Sequence, residues 1–543
     1  MLTISTISSA IRIPVAGHRV SVPGFPRWPI PTLLVAVLLG NLAYVRWACP
    51  FDLAPDEAHY WDWSRNLDWC YYSKGPLVAL LIRASCELFG TSAFAVRLPA
   101  AFCGVAILAG IAKLAHQHTG DRRFAFSVLA AALTVPGMTA TSSLMTIDAP
   151  FLACWTWAAV CVQSAILRLP LSASGLGGEV WLRWCLAGIF VALGLLAKLT
   201  MLAFPVSVVL LMIQQRQLRT RNLLLFALIA GLGLIPQIVW NLRQDGQGWL
   251  HTLGHTGIRE PWPGVIGPLG FLAGQFGILL GVWFVAWLRA VWTLRPRSHP
   301  HSALLWWLSV PLFAICSLAS LNTLGQPNWP AAGYITGFVL AMLWVRENWH
   351  RPSIRRAISV AVVLGIGVSL FLRWPDAVRP ALARMTGSAT EDRPAPVRQL
   401  DPTARLLGWS DLAGEVDSVR EAVFAETGEE ALLAGMTWTV PGELGFYCRG
   451  HPRVYSFGLA LADRFSQYDL WRPNPVLDAQ AFQGRTFVYV GEALPEGAFD
   501  RMDPVRIVTP TRDGVPVASW KVWVCRGFRG FAPPAKRGHP LRY

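Results

Sequence analysis

The chain has 543 residues, of which 53% are hydrophobic and only 15% are charged, and its mean hydropathy is +0.41. Soluble domains carry about 25% charged residues, so this composition excludes a soluble multidomain enzyme. The formal net charge of +15 does not indicate a nucleic-acid-binding protein, because the basic residues cluster in short segments between apolar runs. Basic residues in such segments orient membrane helices, and an integral membrane protein is predicted.

Apolar runs long enough to cross a bilayer, about 20 residues each, recur along the chain up to residue 373. They predict about eleven spans, of which the first is retained, because no run is followed by a small-residue cleavage site. Residues 182–213 form one long run that is divided at Lys198. The predicted spans are residues 31–49, 98–116, 124–143, 149–167, 182–197, 199–213, 222–240, 265–288, 303–321, 330–345 and 357–373.

The loops that connect these spans are alternately rich and poor in arginine. If the N-terminus is cytoplasmic, the inward loops hold clusters such as Arg216, Arg219 and Arg221, whereas the outward loops hold few basic residues. This asymmetry follows the positive-inside rule at every alternate loop, and an even number of spans would break it. Residues 375–543 are therefore expected outside a multi-pass plasma (inner) membrane.

The C-terminal segment is polar and has no predicted span, and it is expected to be a small extracytoplasmic α/β domain. The pattern predicts a helix over Asp411–Ala425, followed by strands. The Asp513-Gly514 pair is a hairpin signal between the last two strands. The predicted strands are Ala431–Val440, Arg485–Val490, Val505–Thr509 and Val517–Val524. The chain thus divides into a membrane domain, 1–374, and an outward domain, 375–543.

Two of the cysteines suggest a disulfide bond. Cys448 and Cys525 both lie in the outward domain, where the compartment permits disulfides, and we consider a bridge between them. No CxxC or Cys/His spacing indicates a zinc site.

The first outward loop, residues 50–97, is the most informative segment. Within 52–76 it combines acids, a histidine, a lysine and six Trp or Tyr side chains just outside a span. Aromatic rings stack on the apolar faces of sugars and carboxylates accept hydroxyl protons, so the loop fits a site for a sugar or a lipid headgroup. The alternative is an aromatic interfacial belt, which needs no Asp56-Glu57 pair and no Lys74-Gly75-Pro76.

Two further charges lie at the outward ends of predicted spans. Asp148 begins an apolar helix, where a helix N-terminus role is the simplest explanation. Lys198 lies between two spans, where it could be a snorkelling lysine. Ionisable residues at membrane depth are nevertheless functional candidates.

These segments, taken in order, resemble the bacterial branch of the protein O-mannosyltransferase-like family. Its members are GT-C glycosyltransferases (glycosyltransferase family 39) related to the aminoarabinose transferase of lipid A. The resemblance covers most of residues 31–345. Each motif alone is weak, but together they are specific because each falls at an outward membrane face. The matching segments are 56–64, 67–76, 94–99, 146–150, 194–200 and 327–331.

The resemblance implies a helical GT-C membrane protein that uses a polyprenyl-phosphate-linked sugar, usually with inversion. In this family the first acid of the Asp-Glu pair is the base on the acceptor hydroxyl, and lysines hold the departing phosphate. Arg243, in the outward loop 241–264, is added here as a further phosphate ligand. The predicted site comprises Asp56 and Asp148 as catalytic carboxylates, Lys74, Lys198 and Arg243 for the donor phosphate, and Glu57, His59, Tyr60, Tyr71 and Tyr72 for substrate.

The sequence departs from the family at one position that concerns metals. Aminoarabinose transferases have an acid associated with a divalent metal just before the loop lysine, and here that residue is Ser73. His251 and His255 have helical spacing, but such pairs without a third ligand more often bind neither metal nor phosphate. No cofactor is therefore assigned, and a divalent metal is left open.

Two other functions share some of these features. A transporter or flippase for a lipid-linked sugar would explain the spans, but it predicts inverted repeats or broken helices at the midplane. No such repeat is found, and the key charges lie at one face. An O-antigen-ligase-like enzyme shares the chemistry but lacks the Asp-Glu start. The sugar and the acceptor, whether lipid, glycan or protein, are left open.

Overall fold

The computed structural model describes residues 26–172, 179–254, 266–322 and 325–532. The membrane part and its loops contain α1 Pro29–Ala43, α2 Pro55–Arg65, α3 Leu77–Phe89, α4 Ala93–Thr119, α5 Arg122–Ala132, α6 Pro136–Ser143, α7 Asp148–Ser172, α8 Val180–Ala197, α9 Ala203–Gln214, α10 Asn222–Leu232, α11 Ile235–Arg243, α12 Gln247–Gly254, α13 Ile266–Ile278, α14 Val282–Thr293, α15 Ala303–Ala319, α16 Ala331–Glu347 and α17 Pro352–Arg373. The remainder contains α18 Arg379–Thr386, α19 Trp409–Thr427, β1 Leu432–Gly435, α20 Thr439–Tyr447, β2 Val454–Ser456, α21 Gln467–Leu470, β3 Phe487–Val490, β4 Phe499–Val508, β5 Thr511–Arg512, β6 Val515–Pro516 and β7 Trp520–Phe528.

The chain is a multi-span membrane protein. Within the described residues, seven helices are long and apolar enough to cross a membrane, or up to nine if each of two bent pairs is one span. The other two predicted spans, 199–213 and 330–345, coincide with shorter helices, Leu199–Gln214 and α16, which has 17 residues. At 1.5 Å per residue such a helix rises about 25 Å, less than the hydrocarbon core of about 30 Å. The predicted segments are thus helical, but fewer than eleven of the described helices are long enough to cross a membrane.

Two predicted spans are bent rather than continuous. Between α5 and α6 the axis turns by 75°, and Pro136 begins the second helix, which forces Val135 into an extended conformation. Between α13 and α14 the axis turns by 107°, where Leu280 and Gly281 both have positive φ. A left-handed pair cannot continue a right-handed helix, so the predicted span 265–288 is two helices.

The C-terminal α/β unit is built on a mixed sheet of strand order β2-β1-β3-β7-β4. Strand β1 pairs in parallel with β2 and β3, and β7 pairs antiparallel with both β3 and β4. The hairpin signal is confirmed, because Asp513 and Gly514 have positive φ between β5 and β6. The predicted strand 431–440 ends at Gly435, and α20 follows with Pro441 in its first turn, a residue that cannot donate to a strand ladder.

The hypothesis of a Cys448–Cys525 bridge is wrong. Both thiols are free and buried. Cys448 packs with Val524 on the helix-covered face of the sheet, whereas Cys525 packs with Phe487 on the other face. Successive residues of a strand point to opposite faces, so the sheet itself separates the two sulfur atoms.

The C-terminal unit packs directly on the loop that contains α2. The backbone N–H of Leu53 donates to the Tyr447 hydroxyl over 2.7 Å, and Asp52 accepts from the N–H of Trp409 over 2.9 Å at the start of α19. A Cβ added to Gly442 of α20 would lie 2.8 Å from the backbone nitrogen of His59, so α20 and α2 approach closely. The two parts therefore share one wall, and the candidate site lies along it.

Candidate active site

Glu57, the second acid of the Asp-Glu pair, points into the protein. Its side chain is 0% exposed, and the Arg97 Nη2 donates to it over 2.9 Å. It also accepts from the backbone N–H groups of Ala54, over 2.9 Å, and Met145, over 2.8 Å. These bonds tie α2 to α4 and to the segment before α7. A carboxylate engaged in this way argues against the substrate contact predicted for Glu57, and it acts instead as a positioning residue.

Asp56 points the other way. Its side chain is 38% exposed and accepts from the Arg405 Nη2 over 3.2 Å, and Arg405 is itself 51% exposed. Successive residues of a helix are about 100° apart around its axis, so the two acids face different surroundings. Asp56 is the acid of the pair that an incoming hydroxyl can reach.

A cleft lies between α2 and the C-terminal unit, with Asp56 in its wall. The first loop and the C-terminal unit each supply about half of its lining, so neither part forms the cleft alone. From the first loop come Asp56, His59, Tyr60, Tyr72, Ser73 and Lys74; from the C-terminal unit come Trp438, Arg464, Phe465, Ser466 and Gln467. Sequence reasoning missed all five residues of the second group.

Asp148 and Lys198 form an ion pair at the same end of the bundle. The Lys198 Nζ donates to the Asp148 carboxylate over 2.8 Å, and the Asn328 side-chain amide donates to its other oxygen over 2.8 Å. The Lys198 and Asp148 side chains are 12% and 19% exposed. Lys198 therefore has a fixed partner, unlike a snorkelling lysine that reaches toward headgroups. Asn328 belongs to one of the motifs, but no role was predicted for it.

Lys74 is brought beside this pair by the glycine that follows it. A Cβ added to Gly75 would lie 2.1 Å from the Leu196 carbonyl oxygen, so only glycine lets this loop approach the end of α8. Burial and the charge of Lys198 lower the pKa of Lys74 to about 8, against the opposing effect of Asp148. Two lysines thus converge from the first loop and from the end of α8.

The tyrosines that were predicted to contact substrate lie in two places, the cleft and the protein core. Tyr60 and Tyr72 line the cleft, and the N–H of Tyr72 donates to the Gln467 side chain over 2.8 Å. Tyr71 lies in the core instead: its ring stacks on Trp63 with centroids 4.3 Å apart, and its hydroxyl donates to the Trp63 carbonyl. The structure therefore gives Tyr71 a packing role and argues against its predicted substrate contact.

His59 lines the cleft as a neutral imidazole. Its side chain is 6% exposed, and its ring stacks on Tyr468 with centroids 4.9 Å apart. Burial, and next the charge of Arg464, lower the pKa of His59 to about 3. Within the described part of the chain its Nε2 has no hydrogen-bond partner. A buried unpaired nitrogen at a cleft wall can exchange a hydrogen bond with a sugar hydroxyl.

Arg243 is not brought to the cleft. It is exposed at the end of α11 and is not part of the lining. His251 packs against Tyr72, with ring centroids 4.5 Å apart, and His255 lies outside the described residues.

The donor set around the cleft does not fit a divalent metal. Ser73 lines the cleft where metal-associated relatives have an acid. In the described ranges, no group of three or more His, Cys, Asp or Glu side chains could hold a metal ion.

Comparison with known proteins gives three findings. Residues 73–240 match the family described as dolichyl-phosphate-mannose-protein mannosyltransferase. The predicted resemblance is confirmed. The lipid A galacturonosyltransferase RgtD of Rhizobium johnstonii is 29% identical over 305 residues, which is 55% of this chain and 62% of that protein. The match thus spans less than two thirds of the curated relative.

The fold is also that of a solved protein. ArnT from Cupriavidus metallidurans superimposes with a TM-score of 0.56 at 16% identity in its apo state, over 91% of this chain and 97% of ArnT. The undecaprenyl-phosphate-bound form of ArnT matches with the same TM-score and 15% identity. The predicted GT-C fold with a C-terminal α/β unit is confirmed.

Proposed function

We propose that this protein is a membrane glycosyltransferase that moves a sugar from a polyprenyl-phosphate donor to an acceptor outside the cytoplasm. The observation that carries the proposal is one cleft lined by a reachable carboxylate, Asp56, and by Lys74, with Lys198 close enough to Lys74 that its charge lowers the pKa of Lys74. A base for an acceptor hydroxyl and cations for a leaving phosphate are what glycosyl transfer from such a donor needs.

The reaction can be written on these groups. The acceptor hydroxyl gives its proton to the Asp56 carboxylate while its oxygen bonds to the anomeric carbon of the sugar. The bond between that carbon and the phosphate oxygen breaks, and its electron pair stays on the phosphate. Attack on the face opposite the phosphate inverts the anomeric carbon. Asp56 then returns the proton to solvent, to which its side chain is open.

Lys74 and Lys198 stabilise the charge that builds on the leaving phosphate. A fixed ammonium in a site with little water interacts with a phosphate more strongly than it would in bulk water. Asp148 holds the Lys198 side chain in place. One oxygen of its carboxylate accepts from the Lys198 ammonium, and the other accepts from the Asn328 amide. Asp148 is therefore assigned to positioning Lys198 rather than to proton transfer.

The side of the membrane and the acceptor class belong to the same proposal. The arginine pattern supports an inner membrane protein whose cleft faces the extracytoplasmic side. The name of RgtD, a lipid A galacturonosyltransferase, supports a lipid acceptor, and the undecaprenyl phosphate bound to ArnT supports a polyprenyl carrier. We propose that the donor lipid enters from the outer leaflet and that the acceptor is a lipid displayed there.

The test is turnover by the purified protein in detergent, with synthetic undecaprenyl-phosphate sugars as donors and lipid A as acceptor. Asp56→Asn keeps the shape and removes the proton acceptor, so turnover should fall by roughly 10²–10⁴ while undecaprenyl phosphate binding is kept. The matched control is Glu87→Gln, which removes an exposed carboxylate of α3 that does not line the cleft.

Two outcomes would contradict the proposal in different ways. Transfer by Asp56→Asn at the parent rate would remove Asp56 as the base. A parent protein that transfers no sugar, but moves the donor across vesicle membranes, would make it a flippase.

A further inference from the structure

A second cavity lies at the end of the helical bundle that is opposite the candidate active site. Its volume is about 410 Å³, within the range of roughly 300–1,000 Å³ that small-molecule sites occupy. The helical segment Leu199–Gln214 begins beside Lys198 and ends at this cavity, and its rise of about 1.5 Å per residue separates the two sites by about 20 Å. The arginine pattern predicts that this end is cytoplasmic. The side chains that line the cavity include Gln214, Arg295, Arg297, Ser298, Trp306 and Trp307.

The two arginines of this cavity lack a counter-charge. The stretches of chain that form the cavity contain no Asp or Glu, since none occurs over residues 180–244 or 260–346. In the part of the chain that the structure describes, neither Arg295 nor Arg297 forms an ion pair, whereas Arg346 at the same end pairs with Asp121 over 3.2 Å. Two guanidinium groups without a carboxylate attract an anion, and their planar N–H forks match the oxygens of a phosphate.

Hydrogen bonds hold the walls of the cavity in place. The Trp307 Nε1 donates to the Gln214 side chain over 2.5 Å, and the Trp306 Nε1 donates to a backbone carbonyl of α14 over 3.0 Å. The Arg295 Nε donates to the Ser298 hydroxyl over 3.3 Å, which fixes one edge of the guanidinium. The cavity thus presents indole rings in fixed positions beside an oriented cation, and a ligand does not have to order them on binding.

Two exposed apolar stripes lead along the helices to this cavity, one on α9 and one on α14. In each stripe the side chains recur at spacings of three and four residues, and they therefore share one face of the helix. The stripes consist of Val206, Val209 and Ile213 on α9 and of Val285, Leu288 and Trp292 on α14. Exposed apolar faces in the membrane part of the protein contact acyl chains. A phospholipid that lies along these faces places its phosphate at the level of Arg295 and Arg297.

We propose that this cavity binds the headgroup of an anionic phospholipid from the leaflet opposite the candidate active site. Arg295 and Arg297 bind its phosphate, and the rings of Trp306 and Trp307 pack against its glycerol part. A zwitterionic headgroup carries a cation of its own, which the two arginines repel, so the site selects an anionic lipid. The lipid site is separate from the cleft and does not depend on the proposed glycosyl transfer.

The experiment is native mass spectrometry of the full-length protein in a neutral detergent, titrated with phosphatidylglycerol or with phosphatidylcholine of the same acyl chains. The parent should bind phosphatidylglycerol roughly 10-fold more tightly than phosphatidylcholine. Arg295→Gln combined with Arg297→Gln should weaken phosphatidylglycerol binding by roughly 10–100-fold, the size of a hydrogen bond to a charged group, and should leave phosphatidylcholine binding nearly unchanged. Replacing both arginines by lysine should keep part of the preference. The matched control is Arg355→Gln combined with Arg356→Gln, which removes two exposed arginines that do not line the cavity.

Three results would overturn the inference. Equal affinity of the parent for the two lipids would show that the cavity does not select an anionic headgroup, and this comparison needs no variant to fold. An equal loss of phosphatidylglycerol binding in the control variant would assign the preference to the general positive charge of this surface. Binding of glycerol 3-phosphate as tightly as phosphatidylglycerol would make the ligand a soluble phosphate and not a membrane lipid.

Discussion

Two adjacent acids lie on different faces of α2, and they differ in burial and in their partners. On the inner face, Glu57 is fully buried and bonded to Arg97 and two backbone N–H groups. On the cleft face, Asp56 is partly exposed and forms an ion pair with the exposed Arg405. A buried pair is costly to break, because the remaining partner stays charged and desolvated, whereas an exposed pair can be exchanged for solvent or substrate. The difference shows that the partner and the burial, rather than the residue type, decide which acid is held inside the protein and which one stays open to the cleft.

Breaking the inner pair should have the largest effect. Glu57→Gln leaves the Arg97 guanidinium buried without a counter-charge, so the free energy of unfolding should fall by about 3–5 kcal/mol. Thermal unfolding of the detergent-purified variant measures this loss. Asp56→Asn is the matched change on the other face and should leave thermal stability near that of the parent. Equal stability losses in the two variants would remove the distinction between the faces.

The Lys198–Asp148 pair is an intermediate case, because it is partly buried and lies where the phosphate would bind. Lys198→Gln and Lys198→Leu should weaken undecaprenyl-phosphate donor binding by roughly 10–100-fold and slow transfer as well, since the charge acts on both the bound donor and the leaving phosphate. Lys198→Arg should restore part of both, with a different geometry. Binding and single-turnover measurements separate the two effects.

The control for Lys198 is Lys113→Gln, which removes an exposed lysine from the α4 span. Parent-like kinetics in Lys198→Leu would show that the lysine does not bind the donor, and the phosphate site would then have to be sought around Lys74.

The pH dependence of donor capture should report Lys74. Burial and the charge of Lys198 lower the pKa of Lys74 to about 8, so the ammonium is present below that pH and is lost as the pH rises through it. We therefore expect kcat/KM to decline several-fold above about pH 8. In Lys74→Arg the guanidinium stays charged, and the decline should move to higher pH. An unchanged profile in this variant would assign the decline to another group.

The smallest effect is expected at the exposed pair. Arg405→Gln removes the partner of Asp56, and because both side chains are open to solvent the free energy of unfolding should change by less than about 1 kcal/mol. Chemical denaturation compares this variant with Glu57→Gln under the same conditions. A loss as large as that of Glu57→Gln would mean that the contact between Arg405 and Asp56 holds the two parts of the protein together.

The sequence by itself determined the features that depend on near neighbours. Apolar runs located the helical segments, and Asp513-Gly514 located a hairpin, because a turn with two positive φ angles needs residues of this kind. The motif order also pointed to the family and to Asp56, Asp148, Lys74 and Lys198. Pro136 is a local signal for the bend between α5 and α6, but the continuous apolar composition of residues 124–143 led to the prediction of one span.

Only the tertiary structure decided the second wall of the cleft and the different roles of the two acids. The contact between Tyr72 and Gln467 joins residues 395 positions apart, and Arg405 reaches Asp56 from 349 positions away. Periodicity encodes which face of a helix is buried, but it does not encode which distant segment covers that face. Glu57 and Asp56 look alike in sequence because their difference is made by Arg97 on one side and an open cleft on the other.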